Sequence, residues 1–113
     1  MNINAESYGH AVILNLKGDL TEDSLRALMQ VVDHHLGDSQ VVDVILNMEQ
    51  VPFVDSAALE YLLDLQDRLA EKFGQVKLVG CDANVRKILE ITRLSASFEV
   101  LRDVAEAVKA IHV

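Results

Sequence analysis

The stretch Val51-Pro52-Phe53-Val54-Asp55-Ser56-Ala57-Ala58-Leu59 sets a carboxylate and a hydroxyl side by side, after a proline and ahead of a regular apolar repeat. Pro52 blocks helix where it stands and biases Gln50 and Val51 toward extended backbone. Asp55 and Ser56 then read as a helix start, where Asp or Ser accepts a hydrogen bond from a free backbone N–H and stabilises the helix by about 1 kcal/mol. The same place suits a second chemistry, phosphorylation of the Ser56 hydroxyl. A phosphate adds about −1.5 to −2 charges. Free amides and the helix dipole favour an anion there by about 0.3–1 kcal/mol, so the fold survives the addition. What changes is the outer surface: charge added beside Asp55 and Glu60 repels a docked partner. Like charges at an interface can cost several kcal/mol, and each ~1.4 kcal/mol is a tenfold loss of affinity.

No other constellation of this kind stands out. His10, His34, His35 and His112 are scattered. His34 and His35 are neighbours on one helical stretch, so they project about 100° apart and cannot both face one metal. They read as exposed helix residues. Cys81 follows a strand end, where ligands sit in α/β folds, yet a single thiol there reads as buried and structural. There is no paired-Cys metal spacing, no GxGxxG and no GxxxxGK[ST]. Many carboxylates are present, but no nucleophile, base and oxyanion donors come together. The sequence therefore predicts no catalytic residue, no metal and no cofactor. Ser24, Ser39, Ser95 and Ser97 lack the strand–loop–helix placement of Ser56 and read as caps or loop residues.

The elements that must position Ser56 follow from periodicity. Residues 2–7 read as an edge strand, 8–10 as a turn and 11–16 (AVILNL) as a buried strand ending at Lys17-Gly18-Asp19. Thr21 reads as an N-cap, with Glu22 and Asp23 suited to the first turn. Leu25, Leu28, Met29, Val32 and Leu36 share one face of that helix, and Gly37 stops it. Residues 41–46 (VVDVIL) are a second buried strand, and 47–54 a strand exit and loop. The helix from Asp55-Ser56 turns Leu59, Leu62, Leu63, Leu69, Ala70 and Phe73 inward, turns Glu60, Asp64, Asp67, Arg68, Glu71 and Lys72 outward, and ends at Gly74. Residues 76–79 (VKLV) are a third buried strand. Asp82 caps a helix over 84–92 with Val85, Ile88, Leu89 and Thr92 inward. Residues 98–101 are a last strand, and Val104, Val108 and Ile111 lie on a terminal helix. The order β-β-α-β-α-β-α-β-α predicts an α/β fold: a mixed, mostly parallel sheet with one antiparallel edge strand.

Composition narrows the function classes. The chain of 113 residues is half hydrophobic and a quarter charged, which is globular, and it reads as a single domain over 1–113 with no repeat or linker. A net charge of −8 repels phosphate backbones and anionic headgroups, which argues against nucleic-acid binding and favours partners with a basic face. The opening MNINAESYGH has neither a basic n-region nor an apolar h-region, and no apolar run approaches the ~20 residues that span a bilayer. With one cysteine, the expected setting is the reducing cytoplasm, without membrane insertion.

These residues resemble a known family. ILNMEQVPFVDSAAL resembles the signature of STAS domains, an apolar strand, a loop and then Asp-Ser-x-Gly-Leu. ILNLKGDLTEDS resembles the family's second strand and Gly-Glu/Asp-Leu turn. VKLVGCDANVRKILEITRLSASFEVLRDVAEAVKAI resembles its C-terminal half, so the likeness covers essentially the whole chain. It implies the STAS fold. It also implies an anti-sigma factor antagonist that binds an anti-sigma factor which is also a serine kinase, is switched off when that kinase phosphorylates Ser56, and is restored by a phosphatase. On this likeness the partner-binding residues are Asp19, Thr21, Asp55, Ser56, Ala57, Ala58 and Glu60. The chain departs from the pattern in three places: Ala58 stands for the usual Gly, Thr21 for a frequent Asp, and Arg93 for a loop Gly.

Two further readings use the same residues. One is a scaffold STAS subunit of a lipid-transport ATPase or a signalling assembly, using the same helix face without a phosphate cycle. The other is a small enzyme or ligand-binding flavodoxin-like domain, which requires a small molecule near Cys81 or Ser56.

Overall fold

The computed structural model describes residues 1–111, with only the backbone of Ile111, and His112 lies outside the described residues. The chain forms β1 (Asn2–Tyr8), β2 (Ala11–Lys17), α1 (Glu22–Leu36), β3 (Asp43–Gln50), α2 (Ser56–Ala70), β4 (Val76–Val79), α3 (Ala83–Ile91), β5 (Glu99–Leu101) and α4 (Val104–Ile111). The five strands make one sheet in the order β1-β2-β3-β4-β5. β1 runs antiparallel to β2, and every other neighbouring pair is parallel. The element order read from the sequence is the one observed.

Alternation along each strand sorts the core onto two faces. Val12, Leu14 and Leu16 of β2, Val44, Leu46 and Met48 of β3, and Val76 and Leu78 of β4 join one apolar cluster. Leu28 and Val32 of α1, Leu59, Leu62, Leu65 and Leu69 of α2, and Val85 and Leu89 of α3 close over it. Ala11, Ile13, Ile45 and Val79 lie on the opposite face under Ala107 of α4. Lys77 points to that second face and is 2% exposed, paired with Glu99 directly across the β4–β5 ladder. A buried ammonium requires such a partner.

The structure corrects several assignments. β3 continues to Gln50, beyond the expected end at residue 46. Its far half alternates Asn47, Met48, Glu49, and Asn47 donates to Asn15 Oδ1 on β2 at 2.9 Å. Polar residues on the second face thus disguise strand as loop. Met29, expected inward, is 39% exposed because the inner stripe of α1 is carried by Leu28 and Val32. On α2 the stripe is Ala58, Leu59, Leu62, Leu65 and Leu69. Ala70 is exposed and Phe73 is 98% exposed. Thr92 is exposed, and its hydroxyl donates to the Ile88 carbonyl at 2.8 Å at the end of α3.

The exit from α2 explains Phe73. Gly74 N–H donates to Leu69 O at 2.8 Å and Phe73 N–H to Ala70 O at 3.0 Å, the paired bonds of a Schellman stop. That motif needs its left-handed residue one position before Gly74, and Phe73 takes it at φ +62°. Glycine cannot be spared from 74, because a Cβ there meets the Val42 carbonyl oxygen at 1.7 Å. The exit from α3 repeats the pattern. Leu94 N–H reaches Leu89 O at 2.8 Å, Arg93 N–H reaches Glu90 O at 3.0 Å, and Arg93 sits at φ +61°.

Candidate functional site

Parallel strands deliver their following loops to one edge of the sheet, where α/β folds place their sites. Here the loops after β2 and β3 are zipped together. Gly18 N–H donates to Gln50 O at 3.0 Å, Leu20 N–H to Phe53 O at 2.9 Å, and Asp55 N–H to Leu20 O at 3.1 Å. Leu20 and Val54 pair as a short parallel bridge, and both side chains are buried. From the other side Asn84, in the first turn of α3, donates to Pro52 O at 3.2 Å. The loop that carries Asp55 and Ser56 is thereby held between two neighbours.

Ser56 is the first residue of α2, and its side chain is exposed. Asp55 is the N-cap in extended conformation (φ −93°, ψ 177°), and its Oδ1 accepts from Ala58 N–H at 2.9 Å. Its Oδ2 accepts from Glu22 N–H, at the start of α1, also at 2.9 Å. One carboxylate therefore serves the first turns of two helices. Thr21 stands at the N-cap of α1, but its side chain makes no cap hydrogen bond. Its backbone N–H donates to Ser24 Oγ at 3.0 Å, and Ser24 Oγ donates to Asp19 O at 2.8 Å.

The sequence-predicted site residues divide on burial. Asp19, Ser56 and Glu60 are exposed, and Thr21, Asp55 and Ala57 are half-buried. They lie along the two zipped loops and the start of α2. Ala58 is different: it is 0% exposed and belongs to the core cluster of α2 and the sheet. Its methyl cannot form part of a contact surface, because the third residue of this helix turns inward beside Leu59. Sequence reasoning missed two members of this edge. Phe53 is 44% exposed beside the zipper, and Asn84 ties α3 to the loop. An aromatic beside the only proline, in a loop, was the available signal for Phe53.

The remaining chemistry is quiet. Cys81 is 7% exposed, and burial pushes its thiol up to about 11, with Arg86 lowering it and Asp82 raising it. A thiol held protonated at neutral pH is a poor nucleophile. The Tyr61 hydroxyl, which has no hydrogen-bond partner among the described residues, is pushed up to about 12, first by burial and then by Asp33, against the opposing effect of Arg68. His34 is exposed and His35 half-buried, with their rings edge to face at 5.2 Å. Among the described residues, no three His, Cys, Asp or Glu side chains gather in a way that could hold a metal. No helix among them is long and apolar enough to cross a membrane.

The family model for the STAS domain matches residues 2–107. The chain belongs to the STAS-domain family. The family is a non-enzymatic one. A STAS-domain containing protein of Pseudomonas aeruginosa is 32% identical over 56 residues, covering 50% of this chain. That match spans about half of the relative's own length, 55%. Among solved structures, an anti-sigma factor antagonist from Mycobacterium paratuberculosis superposes with a TM-score of 0.84 at 19% identity, covering 97% of this chain and 92% of that one. The Bacillus cell fate determinant SpoIIAA, in its phosphorylated form, superposes with a TM-score of 0.76 at 19% identity, covering 98% of this chain and all (100%) of that one. At such identities the likeness is one of fold. It agrees with the five-stranded mixed sheet and the alternating helices described above.

Proposed function

We propose that this STAS domain is an anti-sigma factor antagonist. Unphosphorylated, it binds an anti-sigma factor that is also a serine kinase, and phosphorylation of Ser56 by that kinase releases it. The observation that carries the reading is the exposed Ser56 hydroxyl at the first position of α2, on a face built from Asp19, Thr21, Asp55, Ala57 and Glu60. A phosphate there meets solvent and helix-end amides rather than core, so it changes recognition and leaves the architecture intact. The resemblance of the Asp55-Ser56 segment to the family's phosphorylated motif supports the same assignment, as does fold likeness to anti-sigma factor antagonists. Phe53 adds an exposed aromatic to this face, the kind of side chain that anchors an interface. A phosphatase restores the binding form. The whole of 1–113 acts as one cytoplasmic domain in this scheme.

The test is incubation of the protein with its cognate kinase and ATP, followed by intact mass. One added phosphate is expected, abolished in Ser56→Ala, and Ser56→Asp is expected to lower affinity for the kinase at least tenfold. If no phosphate is added and Ser56→Asp binds as tightly as the parent, the domain is a scaffold subunit of a transport or signalling assembly instead.

A further inference from the structure

The two edges of the sheet are unlike. β5 has three residues, and so short an edge offers little to pair with. β1 has seven, Asn2–Tyr8, all but Ile3 exposed. It meets β2 residue for residue without a bulge, and it carries no proline, lysine or arginine. Glu6 is its one charged residue, and Asn15 of β2 engages that carboxylate. The outward backbone N–H and C=O groups of β1 therefore stand open, without the devices that keep an edge strand from pairing. The edge also carries half of a polar network. Asn4, Asn15 and Asn47 stand in one row across β1, β2 and β3, on the face that packs against α4. Asn47 donates to Asn15 Oδ1 at 2.9 Å, and Asn15 donates to Glu6 Oε2 at 3.3 Å. Donation thus runs outward and ends on an exposed carboxylate. The exposed Asn4 side chain has no protein hydrogen-bond partner among the described residues.

We propose that β1 is a self-association edge whose occupant is a second copy of this chain, paired antiparallel about a two-fold axis through Ala5. The polar row continues across the edge only when like faces meet, which sets a residue opposite its own copy. An axis at Glu6 brings the two carboxylates together, and an axis at Asn4 runs Ser7 and Tyr8 past the start of the second strand. The axis at Ala5 matches the whole of β1: Asn2 stands opposite Tyr8, Ile3 opposite Ser7, and Asn4 opposite Glu6 of the second copy. Each Asn4 amide then donates to the carboxylate on which the other copy's row ends, twice by symmetry. A bond to a charged acceptor is the stronger kind, and Ala5 against Ala5 keeps the axis free of bulk. The contact is one strand wide, so the pair is weak and depends on concentration. The charge of −8 on each chain opposes it at long range, and salt screens that repulsion. β2 separates β1 from β3, whose exit leads to Ser56, so both copies keep that loop free.

The experiment is sedimentation equilibrium of the full chain over a wide concentration range at low and high salt, with oxidative cross-linking to read the register. A monomer–dimer equilibrium is expected, tighter at high salt. Asn4→Asp sets a carboxylate opposite Glu6 of the second copy and should weaken the dimer about five- to tenfold, while Asn4→Lys should tighten it. Ala96→Asp adds the same charge at an exposed position before β5, on the other edge, and should change the dimer much less. Urea unfolding of each variant separates association from folding. Under mild oxidation Ala5→Cys, which stands opposite its own copy, should cross-link. Ser7→Cys should not, because its two copies lie four residues apart along the strands, about 13 Å, beyond the reach of a disulfide. The parent, whose Cys81 is 7% exposed, is the control. A monomer under every condition overturns the proposal and leaves the edge to a strand of another protein. A dimer that Asn4→Asp weakens no more than Ala96→Asp does, or one that cross-links no faster at Ala5→Cys than at Ser7→Cys, overturns it as well.

Discussion

Replacing Ala58 by glycine restores the residue that the family motif carries, and the structure predicts that it weakens the protein. Ala58 is 0% exposed and packs within the main core cluster. Deleting its methyl removes a buried carbon, about 0.8 kcal/mol by transfer. Glycine in a helix adds about 0.5–1 kcal/mol of backbone entropy lost on folding. The sum is about 1–2 kcal/mol, since the surroundings shrink only partly around the space left. In urea, with a slope of about 2 kcal/mol/M, the unfolding midpoint should fall by roughly 0.5–1 M. Because the change is internal, the proposed phosphorylation of Ser56 should proceed to the same extent in Ala58→Gly, assayed well below its midpoint, as in the parent. An unchanged or raised midpoint refutes the reasoning, because it would mean that the methyl is not packed and that position 58 belongs to the surface.

At the end of α2, neighbouring residues should respond with opposite signs. Phe73→Gly relieves a left-handed conformation worth roughly 1–2 kcal/mol and sacrifices almost no burial, so it should raise the urea midpoint despite the looser unfolded chain, whereas Gly74→Ala should lower it, its new Cβ meeting the Val42 carbonyl oxygen at 1.7 Å. The Cys81 thiol, pushed up to about 11 by burial from an ordinary 9, stays protonated in the folded state at pH values where the unfolded chain ionises. Stability from this group is therefore full below pH 9 and lost as pH rises toward 11. Iodoacetamide labelling at pH 8 should be slow in the native protein and fast in urea.

The order of elements was legible because strand and helix periods differ and the first three helices begin at recognisable N-cap residues: Thr21, Asp55 and Asp82 all stand where their residue types suggest. The helix ends were not legible. Glycine at 74 looked like an ordinary stop, but it is there for close approach to Val42, and the left-handed position fell to Phe73 instead. Arg93 takes the same left-handed role at the end of α3. The far half of β3 was hidden for another reason: its second face carries polar residues, so alternation resembled a loop. In the site, the Asp55-Ser56 pair was legible as a local cap. The bond from Asp55 to Glu22 was not, because a contact across 33 residues leaves no mark in local spacing. Ala58 was misplaced on the surface because the motif was treated as a linear strip, when a helix turns its third residue inward.

The acidic surface bears on how the proposed switch would work. Asp19, Glu22, Asp23 and Glu60 are exposed around Ser56, and the chain as a whole carries −8. A partner attracted by charge alone would hold the phosphorylated form more tightly, since phosphate adds to a field already negative. Release on phosphorylation therefore requires that residue 56 sit in the desolvated centre of the contact, with attraction confined to the acidic rim. Burying a phosphate without a paired donor costs more than rim charges return, because rim pairs are screened by water and salt while a buried charge is not. The geometry fits that division: the Ser56 hydroxyl stands at the start of α2, the exposed aromatic ring of Phe53 lies on the loop leading into it, and the carboxylates lie on the flanking loop and the next turn of α2. One hydroxyl can then set the outcome of an interface whose overall charge points the other way.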